Sequence, residues 1–293
     1  MEIRPRRSLL FSPAANPRAL EKAKTLAGDG LIFDLEDSAA PEEKPAARAR
    51  IVAALADPGY GPRERLVRIN GLDTPWGEDD LRAAVAAGAD GIVVPKIVAA
   101  SDVSAAARLI AEAGGDKTLL WTMIETARAL LDIGEIARTA ALPECRFGGF
   151  ILGTNDIARE TRVAMVPGRG PMLAWLGQCV LAARAYGHTV IDSVYNDFRD
   201  TDGLRAECVQ GAAMGMDGKT VIHPAQINIV NEVFSPAPAE VAAAERIVAA
   251  FELPENRDKA VISIEGRMVE RLHAQMAERT LGLARSIAAM ARN

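Results

Sequence analysis

Eight short apolar runs, each followed by a stretch of helical patterning, recur between residues 8 and 222 of the chain. They are Ser8–Phe11, Leu31–Phe33, Leu66–Asn70, Ile92–Val94, the run from Leu119 to Glu125, Phe150–Leu152, Thr189–Asp192 and Thr220–Ile222. Helical patterns fill the intervals, among them Pro41–Ala56, Ser101–Ala113, Leu173–Tyr186 and Leu204–Met214, and one that opens at Asn16-Pro17 and runs to Gly28. A repeat of roughly 30 residues is the length needed to return a strand parallel to its predecessor through a helical crossover. Runs of Val, Ile and Leu without polar alternation suit strands covered on both faces. The pattern predicts an α/β fold, a closed (β/α)8 TIM barrel. An open doubly wound sheet shares the repeat, but no GxGxxG follows any of these strands.

The barrel is expected to occupy residues 1–235. Beyond it, Pro236-Ala237-Pro238 leads into a helix to Phe251, a short strand Val261–Ile264 and a final helix from about Val269 to Met290. About fifty residues make a marginal independent core, so 236–293 reads as a C-terminal helical extension, a lid or oligomerisation segment. The 293 residues carry a net charge of −5 with no long basic run, which gives neither nucleic acid nor an anionic membrane an electrostatic partner. The three cysteines form no CxxC or Cys/His group and are expected to be reduced. No apolar run approaches the ~18 residues of a membrane span, and no signal-peptide core opens the chain; a cytoplasmic location is expected.

Polar residues gather where the predicted strands end. Glu125 and Asp156 follow the fifth and sixth runs, and parallel neighbouring strands would bring them to one pocket at roughly 5 Å strand spacing. Two hard oxygen ligands with room for water and a substrate oxygen suit Mg2+; helix capping is the alternative for each acid. Asp34, Glu36, Asp37, Arg68, Lys96 and Asp192 also lie at carboxyl ends, the face on which barrel enzymes build their sites. Arg68 has the planar fork to bind a substrate carboxylate. Asp37 either holds a water, orients Arg68 or caps the next helix, and Asp34 or Glu36 is equally readable as an ion-pair partner of Arg68 or Lys96. Lys96 reads as a salt bridge ahead of a Schiff base, His223 as structural ahead of a general base, and His188 as a surface residue. Gly168-Arg169-Gly170 permits a flexible lid.

These stretches resemble the CitE-like branch of the HpcH/HpaI aldolase and citrate lyase family. The matching segments are RSLLFSPAANPRALEKA, LIFDLEDSAAPEEKPAAR, VRING, VVPKI, MIETARAL, GTNDIA, VYNDFRD and GMDGKTVIHPAQI, in order over residues 6 to about 227. The resemblance implies a barrel enzyme with Mg2+ on Glu125 and Asp156 and an α-keto acid held by metal and Arg68. It also implies coenzyme A across the barrel mouth, with Arg7, Ser12 and Lys24 meeting its phosphates, and a homotrimer or homohexamer. Two positions depart from the family pattern. Ala14 stands where relatives have glycine, and Glu270 stands where they have a lid aspartate contributed by a neighbouring subunit. The expected reaction is retro-Claisen cleavage of a 3-hydroxyacyl-CoA such as malyl-CoA or citramalyl-CoA, with Glu270 as acid/base. The alternatives are a malyl-CoA thioesterase on the same site, or a citrate lyase beta-type subunit.

Overall fold

In the computed structural model, which describes residues 3–290, the apolar runs become eight parallel strands that close on themselves. They are β1 (Ser8–Pro13), β2 (Gly30–Asp34), β3 (Glu64–Arg68), β4 (Gly91–Val94), β5 (Leu119–Ile124), β6 (Phe147–Leu152), β7 (Thr189–Asp192) and β8 (Gly218–Val221). Closure is made by β8 against β1, with Ser8 opposite Lys219 and Leu10 opposite Val221. The crossovers are α1 (Pro17–Ala23), α2 (Lys44–Ala56), α3 (Gly77–Ala86), α4 (Ala100–Glu112), α5 (Ala127–Leu131), α6 (Ile133–Ala140), α7 (Thr154–Thr161), α8 (Leu173–Ala185) and α9 (Thr201–Ala213), and α10 (Ile227–Val233) follows the last strand. The TIM barrel expected from the repeat is the architecture observed.

Period-2 alternation sorts each strand into two faces. Leu9, Ile32, Leu66, Val93, Trp121 and Ile151 belong to a buried cluster inside the barrel. Their neighbours Leu10, Leu31, Val67, Ile92, Leu120 and Phe150 belong to the larger core between strands and helices. This parity decides where functional side chains point. Trp121 and Met123 face inward, so the next residue of that parity, Glu125, enters the mouth from the same face. Ser12 and Asp192 have the other parity and face the helix layer. Asp192 forms a buried ion cluster there with Arg169 (2.7 Å) and Lys219 (3.0 Å), and Lys219 also reaches Glu207 (2.7 Å).

That cluster corrects the reading of Gly168-Arg169-Gly170 as a flexible lid. Arg169 is 4 % exposed, and Gln210 holds the same turn by accepting from Arg169 Nε (3.0 Å) and donating to the Gly168 carbonyl (2.7 Å). His188 is likewise buried, its Nε2 2.8 Å from the Ala137 carbonyl, where the sequence placed it at the surface. The first helix stops at Ala23, short of Gly28.

Among the described residues, 6–234 form one compact unit, and 235–290 belong to a second together with 3–5. The second unit contains α11 (Pro238–Glu252), a hairpin of β9 (Val261–Ile264) and β10 (Arg267–Glu270), and α12 (Arg271–Met290). Phe251, Ile262, Val269 and Ala274 make its small core. The strand at Arg267–Glu270 replaces the helix start expected at Val269. The two-residue turn is the cause: Glu265 (φ 50°) and Gly266 (φ 77°) both adopt the left-handed backbone that pairs adjacent strands tightly.

Candidate active site

The mouth at the carboxyl ends of the strands is built in two halves. In the first, the last residues of β2 and β3 pair, Asp34 opposite Arg68. Arg68 is buried, and its guanidinium meets three acids: Nε lies 2.7 Å from Asp34, Nη1 2.8 Å from Glu36 and Nη2 3.3 Å from Asp37. The Phe11 ring lies against the guanidinium at 4.8 Å, and the Met123 sulfur is 3.9 Å from Nη1. Lys44 donates to the Leu35 carbonyl (2.9 Å) and so shapes the acidic loop that follows β2. Burial opposes the charge on Arg68, but Asp34, Glu36 and Asp37 together raise its pKa.

Burial pushes the Glu36 carboxyl from its ordinary 4.5 up to about 7, against the pull of Arg68. The folded chain therefore holds this proton more tightly than the unfolded chain. The contribution to stability is complete below about pH 4.5 and is lost as pH rises through about 7. Urea midpoints of the wild type are expected to fall between pH 5 and pH 8, and those of Glu36→Gln to fall less; parallel pH profiles for the two chains would contradict this assignment.

In the second half, β5 ends at Ile124 and Glu125 follows it, fully buried. Glu125 is not the helix cap. Thr126 takes that role, its hydroxyl accepting from the Ala129 N–H at 3.0 Å. Gly153, after β6, makes room for Glu125: a Cβ there would stand 2.5 Å from the Glu125 Cβ and 2.7 Å from its Oε2. Asp156 lies in the first turn of α7, where Arg159 also reaches it at 2.8 Å. Glu125 and Asp156 share one cation, the Lys96 ammonium, at 3.4 Å and 2.8 Å. Lys96 is thus a salt-bridge residue. Burial raises the Glu125 carboxyl, with Lys96 opposing the shift.

The halves face one cavity of about 330 Å³, lined by Phe11, Arg68, Met123, Glu125, Asp156 and Thr220 among others. Asp37 also lines it and is largely exposed, whereas Glu36, between Arg68 (2.8 Å) and Lys96 (3.9 Å), is not among the lining residues. Among the described residues, no three or more His, Cys, Asp or Glu cluster as a protein-only metal cage. The pair nonetheless fits Mg2+, which is commonly held by one or two carboxylates with water and substrate completing the shell. Glu125 Oε2 is buried without a hydrogen-bond partner, so an acceptor atom stands ready beside Asp156.

The topology places the three residues expected to meet coenzyme A phosphates away from the cavity. Arg7 precedes β1 and so lies at the amino end of the barrel, opposite the mouth; its guanidinium is held by Asp29 at 2.6 Å. Lys24 caps the far end of α1 and pairs with Glu21 (2.7 Å) and Asp57 (2.6 Å). Ser12 is buried toward the helix layer. At the mouth end, Arg18 is exposed in the first turn of α1, and Arg50 reaches the Ala14 carbonyl at 3.5 Å. His223 accepts from the Ala225 N–H through Nδ1 (3.2 Å) and stacks on Phe198 (4.4 Å), the pattern of a structural histidine. Phe11 and Met123 were missed by sequence reading, although strand parity from Leu9 and Trp121 identifies them.

The HpcH/HpaI aldolase/citrate lyase family matches residues 7–224, the whole barrel through β8. The chain belongs to this family. Within the HpcH/HpaI family it is 49 % identical to a (3S)-malyl-CoA thioesterase of Cereibacter sphaeroides over 288 residues, covering 98 % of each chain. It is 35 % identical to the L-malyl-CoA/beta-methylmalyl-CoA lyase of Rhodobacter capsulatus, covering 93 % of this chain and 92 % of that one. Among solved structures, it resembles the CitE protein of Mycobacterium tuberculosis in complex with magnesium, acetoacetate and coenzyme A. That match has a TM-score of 0.76 and 28 % identity, over 97 % of this chain and 99 % of the other. Both mouth halves, including Arg68, Glu125 and Asp156, fall inside the matched segment. The second unit, with Glu270 at the end of β10, lies beyond it. The Glu270 N–H donates to His273 Nδ1 at 2.9 Å. No helix among the described residues is long and apolar enough to cross a membrane.

Proposed function

We propose that this enzyme hydrolyses the thioester of a short hydroxy-dicarboxylic acyl-CoA, with malyl-CoA as the first candidate, using Mg2+ held by Glu125 and Asp156. The observation that carries the site is that two carboxylates share one cation beside a buried guanidinium. The choice of hydrolysis over carbon–carbon cleavage rests on the full-length 49 % identity to a malyl-CoA thioesterase. This reverses the order expected from sequence, where the lyase stood first.

The bound metal would polarise the substrate oxygens as a Lewis acid and neutralise developing charge. Arg68 binds the free carboxylate of the acyl group. Asp37 is the partner it exchanges most readily, because that contact is the longest of the three and Asp37 is mostly exposed. Released from Arg68, Asp37 faces the cavity as an acceptor for a proton of the attacking water. The water oxygen joins the acyl carbon, the C–S bond breaks, and the proton passes to the departing thiolate. Phe11 and Met123 exclude bulk solvent around the guanidinium. Arg18 and Arg50, on the mouth side near β1, are the proposed contacts for coenzyme A phosphates.

The lyase is the second reading, favoured by the 35 % identity to a malyl-CoA lyase. In it Glu270 protonates the enolate of the departing acyl-CoA, and the enzyme is a homotrimer or homohexamer whose subunits exchange their C-terminal units. Product analysis separates the two. Hydrolysis of malyl-CoA yields free coenzyme A and malate, whereas cleavage yields acetyl-CoA and glyoxylate. We expect a stoichiometric free thiol with no glyoxylate, unaffected in kind by Glu270→Gln. Glyoxylate as the main product, lost in Glu270→Gln, would replace the first reading by the second.

A further inference from the structure

Lys96 follows Pro95 beyond β4 with a left-handed backbone, φ 54°, which is disfavoured for a lysine and concentrates at functional sites. Two of its groups act on the same neighbour. The Lys96 N–H donates to Glu125 Oε1 at 2.8 Å, and the ammonium stands 3.4 Å from Oε2, an atom without a hydrogen bond. The backbone contact therefore fixes the orientation of the carboxylate and directs its unused oxygen toward the ammonium. The same ammonium lies 2.8 Å from Asp156 and 3.9 Å from Glu36. That one ammonium reaches three acids, two of them the residues assigned to the metal; Asp156 is also met by Arg159 (2.8 Å) and Glu36 by Arg68 (2.8 Å), whereas Lys96 is the cation that Glu125 and Asp156 have in common.

We propose that Lys96 is a displaceable counter-ion, which competes with the divalent cation for Glu125 and Asp156 and so sets how tightly that cation is held. The inference rests on the metal reading of Glu125 and Asp156. An ammonium and a divalent ion cannot occupy the same few ångströms between two carboxylates without strong repulsion. Metal entry must move the lysine, and Glu36 is the carboxylate already within reach. Only the side chain has to swing, because the N–H contact to Oε1 can persist. Without the competitor, the same two carboxylates would repel each other and favour a divalent ion more strongly.

The test is calorimetric titration of Mg2+ into the full chain without substrate, so that turnover plays no part. Lys96→Asn removes the charge and tolerates the left-handed backbone; Lys96→Gly does the same and serves if the first variant does not fold. Lys96→Arg keeps the charge. The neutral variants are expected to bind Mg2+ about tenfold more tightly than wild type, and the arginine variant within about threefold of it. This direction of change is one that a lysine serving only to pack or to position ligands would not produce. Tightening of less than threefold in the neutral variants, or weaker binding, overturns the proposal. A Glu125→Ala titration keeps the two assignments apart: if that variant binds Mg2+ as well as wild type, the metal reading fails as well, and if it does not, only the counter-ion role is lost.

Discussion

Glu125→Ala and Asp156→Ala are each expected to lower turnover by about three orders of magnitude while leaving the fold in place. The size follows from the several kcal/mol that a bound metal contributes to stabilising developing charge, at about 1.4 kcal/mol per tenfold. Little stability should be lost. Glu125 is buried with its carboxyl driven toward the neutral form, so alanine removes a costly group together with its partner contacts. The vacated volume lies at the cavity edge beside Gly153 and can admit water. Initial rates on malyl-CoA across a Mg2+ series check this, with circular dichroism to confirm folding. If both variants retain a tenth or more of wild-type turnover at saturating metal, the assignment of these acids is wrong.

Arg68→Met is expected to damage folding and chemistry together. Its guanidinium is the common partner of Asp34, Glu36 and Asp37, and the first two are buried or nearly so. Removing one member of a buried ion cluster leaves charge without compensation and costs about 3–5 kcal/mol. The urea midpoint should drop accordingly. The drop should be smaller at pH 5 than at pH 8, because Glu36 takes up a proton more readily than an ordinary carboxylate. Arg68→Lys separates the effects. It keeps a positive charge near the acids but loses the planar fork, so most of the stability should return while kcat/KM stays about a hundredfold down. Equal kcat/KM for Arg68→Lys and wild type would remove Arg68 from substrate recognition.

The barrel was legible because its signal is repeated. Eight apolar runs joined by helical segments agree on a parallel β/α repeat even where one boundary, such as the end of α1, is misplaced, and the missing GxGxxG favours the closed form of it. Glu125, Asp156 and Arg68 were legible for a related reason: in a parallel barrel every strand's carboxyl end lies on one face, so a charged residue just past an apolar run is already located. The coenzyme A candidates show where this stops. Arg7 opens a matching motif and Lys24 directly follows it, yet one precedes its strand and the other ends its helix, and both positions lie at the amino end of the barrel. Ser12 is on β1, but its parity turns it toward the helix layer. Asp192 looked like a mouth residue by position and proved to be the centre of a buried ion cluster, because parity turned it toward Arg169 and Lys219.

The amino-acid sequence by itself determined the parallel β/α repeat, the face that carries the site and the acids at its strand ends, since all of these follow from local periodicity and chain direction; closure of the sheet, β8 against β1, is a pairing of distant segments that the structure shows. Only the tertiary structure decided which charges meet: that Arg68 gathers three carboxylates, that Lys96 stands between Glu125 and Asp156, and that Arg169 is pinned and buried. Such pairings join residues far apart in the chain, and their energies depend on burial and on distances of a few ångströms, which no local pattern encodes.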